Sequence, residues 1–145
     1  MAGLGRCFCG RVRFFVPVEP RSFVACHCRD CQYTSGGGPA FVLVFPAGSI
    51  QVSAGADALG TFVSVSDSGN EVCRQFCSDC GTPLFERMQL RPEIELVRAG
   101  AMDETRLLRV DATVWTSSAQ PWVHLDEGSQ HFPRNPTPLN RRGAP

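Results

Sequence analysis

Eight cysteines are the residues of this 145-residue chain whose type and spacing could support chemistry. They occur as Cys7 and Cys9, then Cys26, Cys28 and Cys31, then Cys73 alone, and then Cys77 and Cys80. Thiolates at the spacings CxC and CxxC are typical zinc ligands in a reducing compartment. Disulfides are the alternative in a secreted protein, but the N-terminus MAGLGRCFCG has no apolar signal segment. We therefore interpret the cysteines as metal ligands and expect a cytoplasmic location.

Two of the cysteine pairs look alike. Cys9 is followed by Gly10 and Cys80 by Gly81, and glycine can turn its backbone freely and aim an amide N–H at a metal-bound sulfur. A structural zinc is normally closed by four ligands. Its predicted ligands are Cys7, Cys9, Cys77 and Cys80. The alternative is that these four are buried apolar residues, as cysteines often are.

The middle cluster, CHCRDC, offers three thiols. A catalytic zinc keeps three protein ligands and leaves the fourth place for water or substrate, so Cys26, Cys28 and Cys31 predict an open, reactive zinc. Two alternatives remain, namely a second structural zinc closed by His27 or Cys73, and a redox CxxC pair. In an extended CHC the His27 side chain points away from its neighbours, which favours a packing role over ligation. Cys73, in VCRQFC, is typical of a small core residue.

Length and composition favour one domain. Fourteen basic and fourteen acidic residues cancel, so the chain lacks the positive charge that holds nucleic acid or an anionic membrane. No run approaches the roughly 20 apolar residues of a membrane span. Every basic residue is an arginine, which excludes a lysine Schiff base. We expect a zinc-binding domain over residues 1–132 and an extended or disordered Pro/Arg-rich tail over residues 133–145.

Short extended runs separated by Gly, Pro and Ser predict a mainly β protein with little helix. SDSGNE, residues 66–71, predicts a tight antiparallel hairpin because Gly69 and Asn70 tolerate a left-handed backbone. TSGGGP, residues 34–39, predicts a flexible turn beside the triplet, and it lacks the GK[ST] of a phosphate loop. The runs predicted as strands are residues 11–18, 40–45, 49–54, 61–66, 72–76, 83–88, 93–102 and 110–115.

The order of the motifs, CxCG, then CHCxxC, then FCSDCGTPLF, resembles the glutathione-dependent formaldehyde-activating (GFA) family. The similarity runs from about Gly5 to Pro136 and includes RAGAMDE and WTSSAQPWVHLDEGSQHF. It implies a β-tent fold of packed antiparallel sheets with zinc knuckles. It also implies two zinc ions per chain, one structural and one reactive, with the cysteines divided as the spacing predicts.

Three thiolates on one Zn²⁺ give a centre with a formal charge of about −1, which suits a soft sulfur ligand better than hydrolysis. With the resemblance, this predicts a carbon–sulfur lyase of detoxification. Glutathione or a similar thiol would add to, or leave, the carbon of formaldehyde or another small aldehyde. Cys26, Cys28 and Cys31 would be the catalytic residues.

The predicted partners are thus a small thiol and a small aldehyde, with no nucleic acid and no membrane. A forked guanidinium suits a glutathione carboxylate, and Arg29 is the first candidate, with Arg74 or Arg87 as others. His124 and His131 are candidate general bases. Two further functions stay open: a non-catalytic zinc-binding protein-interaction module, and a cysteine redox enzyme in which CRDC cycles as a disulfide.

Overall fold

The computed structural model describes residues 3–66 and 69–136. Within these ranges the chain forms eleven strands, one short α-helix and three 3-10 turns. The strands are β1 (Gly3–Arg6), β2 (Arg13–Val16), β3 (Ser22–Cys26), β4 (Ala40–Pro46), β5 (Gln51–Ala54), β6 (Leu59–Val65), β7 (Glu71–Cys77), β8 (Pro83–Met88), β9 (Ile94–Arg98), β10 (Ala112–Val114) and β11 (Gln130–His131). The helix α1 spans Arg29–Tyr33, and the 3-10 turns span Ala56–Ala58, Ala99–Ala101 and Thr116–Ser118. The predicted mainly β class with little helix is confirmed.

The strands form two sheets. Strands β1, β2 and β5 make a small antiparallel sheet, and the other eight make a large sheet in the order β11-β10-β3-β4-β9-β8-β7-β6. Every pairing from β3 across to β6 is antiparallel, as predicted. Two pairings differ, because β10 lies parallel to both β3 and β11. A parallel neighbour needs a long connection, and the many residues between β3 and β10 supply one.

The large sheet buries both of its faces at its centre, and consecutive residues of one strand enter different cores. Leu43 and Val97 pack in the core that the small sheet covers. Val42 and Leu96, their neighbours along the same strands, pack in a second core on the other face. This alternation is the period of two expected of strands, and it separates the molecule into two apolar clusters.

The core between the sheets is the larger one and is built on aromatic residues. Phe14 of the small sheet meets Phe85 of the large sheet edge to face, with ring centroids 4.9 Å apart and planes at 83°. Both rings are 1% exposed. Such pairs add about 0.5–1.5 kcal/mol beyond the burial of their area.

The predicted hairpin joins β6 to β7. These strands pair antiparallel from Leu59 opposite Cys77 to Val65 opposite Glu71. Gly69 has the positive φ of +79° that the turn needs, and Ser66 N–H donates to the Asn70 carbonyl at 2.8 Å. The positions 67 and 68 lie outside the described residues.

The start of the predicted tail contacts the domain. Pro133 accepts hydrogen bonds from the Ser117 amide and hydroxyl, and Arg134 accepts one from the Trp115 amide. The rest of the predicted tail, 137–145, lies outside the described residues. No helix in the described part of the chain has the length and apolar character needed to cross a membrane.

Candidate functional site

Four cysteines from distant parts of the sequence meet at one end of the core between the sheets. The sulfurs of Cys7, Cys9, Cys77 and Cys80 all lie within 4.8 Å of one another. Cys9 Sγ is 3.5 Å from Cys7 Sγ and 3.8 Å from Cys77 Sγ. A tetrahedral zinc with Zn–S bonds of about 2.3 Å requires S···S separations of about 3.8 Å. The donor set and its spacing therefore fit a closed four-thiolate metal site.

Two similar turns present these sulfurs. Gly10 and Gly81 have positive φ values of +78° and +77°, as the matched CxCG and CxxCG endings predict. Their amides donate to the carbonyls of Cys7 and Cys77, at 3.0 and 2.7 Å. The bond to sulfur comes from another amide, since Val12 N–H donates to Cys7 Sγ at 3.2 Å. The predicted glycine turns are thus confirmed. The expected hydrogen bonds from the glycine amides to sulfur are not, because these amides donate to carbonyl oxygens.

The thiols of this cluster have different proton affinities without a metal ion. Burial raises the pKa of Cys77, whose residue is 0% exposed. The hydroxyl of Thr82, 3.1 Å from Cys80 Sγ, lowers the pKa of Cys80 to about 5. Cys80 therefore offers a thiolate at neutral pH, whereas Cys77 would be deprotonated only when a bound metal ion stabilises its thiolate.

The second cluster is built within six consecutive positions on the other face of the large sheet. Cys26 ends β3, Cys28 is the N-cap of α1, and Cys31 lies inside that helix. Their three sulfurs lie within 4.8 Å of one another, and no fourth cysteine, histidine or carboxylate of the described residues joins them. Cys28 Sγ also accepts a hydrogen bond from Cys31 N–H at 3.4 Å. The cluster therefore offers three protein donors to a metal.

The three thiols of the triplet shift one another's pKa values because they lie close together. Hydrogen bonds from Cys26 and Cys31 lower the pKa of Cys28 to about 2. The bond to Cys28 raises the pKa of Cys26 to about 12, and Cys26 and Cys28 together raise the pKa of Cys31. Cys28 is therefore the thiol of the triplet that loses its proton most readily. A divalent cation would stabilise all three as thiolates, because it offsets their mutual repulsion.

The residues that could have closed the triplet lie elsewhere. His27 is 2% exposed and its Nδ1 has no hydrogen-bond partner among the described residues, but it is not in the cluster of donors. Burial, and to a smaller extent His131, lowers the pKa of His27. The two candidate general bases also lie outside the cluster: His124 is exposed, and His131 Nε2 lies 2.7 Å from the Asp126 carbonyl.

The prediction that Cys73 is a core residue is wrong. Cys73 is partly exposed and lies opposite Arg87 in the β7–β8 ladder. It lines a cavity of about 490 Å³ together with Arg87 and Glu95. A charged pair therefore lies beside Cys73, and Cys73 is not part of the core between the sheets that contains Cys77.

A buried glutamine that we did not predict fixes the helix of the triplet. Gln32 is 2% exposed, and its Nε2 donates to the carbonyls of His27 and Ser118, at 2.7 and 2.8 Å. Its Oε1 accepts from Arg29 and from Gln120, at 2.5 and 2.9 Å. All its hydrogen-bonding capacity is used, so Gln32 ties α1 to the segment after β10.

An ion-pair network on the same sheet face was also missed. Arg98 Nε donates to Glu86 Oε1 at 2.6 Å, and its other nitrogens donate to Ser35 Oγ at 3.0 Å and Thr34 Oγ1 at 2.6 Å. Arg74 Nε lies 4.0 Å from Glu86 Oε2. The signal was present, since EIELVR and PLFERM both place charged residues among apolar ones in a strand, and buried charges need partners.

The three predicted arginine candidates occupy different places. Arg74 faces the triplet closely enough that its charge lowers the pKa of Cys28, after the larger effects of Cys26 and Cys31. Arg29 is exposed on α1, with its guanidinium 4.9 Å from the Tyr33 ring centroid. Arg87 lies on the opposite sheet face, 3.1 Å from Glu95 Oε2, and is therefore removed from the site.

The model of the glutathione-dependent formaldehyde-activating enzyme family matches residues 3–118. The chain belongs to this GFA family. The matched range contains both cysteine clusters of this GFA protein, α1, and the arginines of the ion-pair network. Gln120, which binds Gln32, comes just after it.

A solved structure supports the fold of this GFA protein. The crystal structure of a Rhodobacter sphaeroides protein, a structural genomics target, is similar with a TM-score of 0.59 and 20% sequence identity. The match covers 72% of this chain and 91% of that chain. At this identity the likeness shows the fold alone. No curated protein matches the chain.

Proposed function

We propose that this GFA protein is a zinc-dependent carbon–sulfur lyase acting on adducts of glutathione, or a similar thiol, with formaldehyde or another small aldehyde. The observation that carries the proposal is the cluster of Cys26, Cys28 and Cys31, which presents three sulfurs and no fourth donor of the described residues. The other cluster of the same chain has four sulfurs, enough to fill all four positions of a tetrahedral metal. A site one donor short has room for a substrate sulfur or oxygen.

The seven cysteines would divide between two zinc ions. Cys7, Cys9, Cys77 and Cys80 would hold a structural ion, and Cys26, Cys28 and Cys31 a catalytic one. A bound zinc would supply Lewis acidity and stabilise a thiolate or an oxyanion. In the reaction a C–S bond forms between the thiol and the aldehyde carbon, and the thiol proton ends on the aldehyde oxygen. The reverse step breaks that bond and returns both reactants.

Arg74 is the residue best placed to hold an anionic group of the substrate. Its side chain is 12% exposed, and Arg74 Nη1 donates to Ser64 Oγ at 2.7 Å. Its Nε is buried without a hydrogen-bond partner among the described residues. Glu86, directly opposite in the β7–β8 ladder, keeps the guanidinium oriented. A carboxylate of glutathione offers the acceptor oxygens that such a fork binds well.

Arg29 is our second candidate, because glutathione has two carboxylates. It begins α1, one position after Cys28, and is exposed. The contacts with Gln32 and Tyr33 limit its motion, so its ordering on binding costs less entropy. The two arginines would hold the thiol substrate from the sheet and from the helix.

A thiol as abundant as glutathione and a reactive small aldehyde indicate a detoxifying enzyme of the cytoplasm. We propose residues 1–132 as the zinc-binding domain and 133–145 as its tail.

The test compares one cysteine from each cluster. Cys28→Ser keeps the fold, because serine is a good N-cap and replaces the cap that Cys28 gives α1. It should abolish thiol-dependent turnover of formaldehyde. Cys80→Ser should instead unfold the protein, since structural zinc contributes on the order of 10 kcal/mol to folding, comparable with the whole stability of a domain.

Turnover, far-UV circular dichroism and bound zinc are measured for both variants. X-ray absorption of the zinc-replete wild type counts the sulfurs on each ion. Equal loss of folding in both variants, or two ions that each have four protein ligands, would refute the lyase and favour the zinc-binding interaction module. A disulfide between Cys28 and Cys31 during turnover would favour the redox enzyme.

Arg74 is tested against Arg87, since the two arginines lie on opposite faces of neighbouring strands. Arg74→Met should raise KM for the thiol on the order of 10- to 100-fold, because a charge-assisted fork is lost. Arg87→Met should leave KM unchanged. An equal effect of both substitutions would contradict the assignment of Arg74.

A further inference from the structure

Strand β6 is the last strand of the large sheet, and β7 is its only strand partner among the described residues. At one end Ser66 N–H donates to the Asn70 carbonyl, and at the other Ser78 N–H donates to the Ala58 carbonyl. Hydrogen-bonded pairs alternate along an antiparallel ladder, so these two bonds direct the backbone groups of residues 60, 62 and 64 toward β7. The N–H and C=O groups of Thr61, Val63 and Val65 therefore point away from the sheet.

This edge lacks the features that normally prevent pairing with another strand. Its sequence, LGTFVSV, has no charged residue and no proline, and its register with β7 is continuous. Phe62, Val63 and Val65 are exposed by 61%, 48% and 67%. Natural edge strands usually carry charges, prolines or bulges, or are very short. The opposite edge of the same sheet, β11, follows that rule with two residues.

The pattern of β6 is complementary to itself. In an antiparallel pairing centred on Val63, that residue faces Val63 of the second copy, and Thr61 faces Val65 in both directions. Each outward N–H then meets an outward C=O, which gives six backbone hydrogen bonds over three hydrogen-bonded pairs. At the centre of a two-fold pairing a charged residue would face its own charge, and this strand has none.

We propose that a second copy of this chain binds at β6, antiparallel and centred on Val63, and joins two large sheets into one continuous sheet. The two-fold axis of such a pairing is perpendicular to the sheet, so the triplet-bearing faces of both copies lie on the same side. Phe62 lies on that side, opposite Arg74 in the ladder. The joined strands therefore extend the surface beside Arg74 with apolar side chains from both copies.

The test uses the zinc-replete full chain and a charge exchange at Val63. In sedimentation experiments the apparent mass of wild type should rise from the 15.8 kDa of one chain to twice that value. The rise should occur between about 1 µM and 1 mM protein, because one strand pair is smaller than a standard interface and binds weakly. Val63→Lys and Val63→Glu should each stay at the chain mass. An equal mixture of the two should recover the doubled mass, since opposite charges then face each other.

Leu107→Lys is the matched control, because it adds the same charge at a side chain that is 78% exposed and outside the strands. It should dimerise like wild type. Amide exchange of Thr61, Val63 and Val65 should slow at high concentration in wild type and not in Val63→Lys. A wild type that stays monomeric at 1 mM, or a dimer that survives Val63→Lys, would overturn the proposal.

Discussion

Replacing Arg98 by methionine tests how strongly the buried ion-pair network stabilises the fold beside the cysteine triplet. Arg98 and Glu86 are 7% and 5% exposed, so the substitution leaves a buried carboxylate without its main partner. Arg98 also donates to Thr34 and Ser35, the two residues that follow α1. Three charge-assisted or polar bonds disappear together, and only Arg74, at 4.0 Å, remains to compensate Glu86.

The magnitude follows from that remaining partner. Removing one member of a buried ion pair costs about 3–5 kcal/mol, and we expect the lower value because Arg74 offsets part of the carboxylate charge. With a urea m-value of about 2 kcal/mol/M, a loss of about 3 kcal/mol moves the unfolding midpoint down by about 1.5 M. Zinc must be held at one concentration in all samples, since bound metal adds to the measured stability.

The control is Arg91→Met, which breaks an ion pair with Glu93 whose side chains are 40% and 51% exposed. An exposed pair contributes about 0–1 kcal/mol, so its midpoint should barely move. The double variant Arg98→Met/Glu86→Met should recover at least part of the loss, because the unpaired Glu86 carboxylate is then absent. Unfolding of Arg98→Met and Arg91→Met at the same urea concentration would show that the buried ion pair stabilises the fold no more than the exposed one.

Two further predictions concern the backbone and the metals. Gly55→Ala should lower the free energy of unfolding by about 3 kcal/mol or more, since φ is +73° and a Cβ would lie 2.1 Å from the Arg11 carbonyl oxygen. Gly48→Ala, with a φ of +82° and open space around it, should lower it by about 1 kcal/mol. Equal shifts of the thermal midpoint in the two variants would contradict this prediction. A chelator should remove zinc in two phases, the first from the triplet with loss of activity and little loss of structure, and the second from the four-cysteine cluster with unfolding. Zinc release and circular dichroism are recorded together, and a single phase would contradict it.

The sequence allowed the two cysteine clusters to be predicted because ligand number and local spacing constrain a metal site strongly. Two cysteine pairs followed by glycine supply four donors, and CHCRDC supplies three donors within six residues. The long strands were predicted for a similar reason, since apolar β-branched runs such as those of β4 and β6 have few alternatives. Strand β3 was missed because SFVAC is short and runs directly into the cysteine motif.

What the sequence could not give is which strands become neighbours. Glu86 and Arg98 meet only because β8 pairs with β9, and the register of that pairing is not local information. Cys73 was misassigned for the same reason, because alternation places it on the face of Cys77 but does not say how far the small sheet extends over that face. Gln32 gave no signal, since its partner Ser118 belongs to a segment far along the chain.

The positions of the two clusters explain why one metal would serve folding and the other chemistry. The four-cysteine cluster links the loop after β1 to the end of β7, so a bound ion closes a long loop and its binding free energy stabilises the tertiary structure. The triplet closes almost no loop, because its donors span six positions already held by β3, α1 and Gln32. A metal there would add little to the stability of the fold. Its open coordination place would lie on the face that carries Arg74 and Glu86.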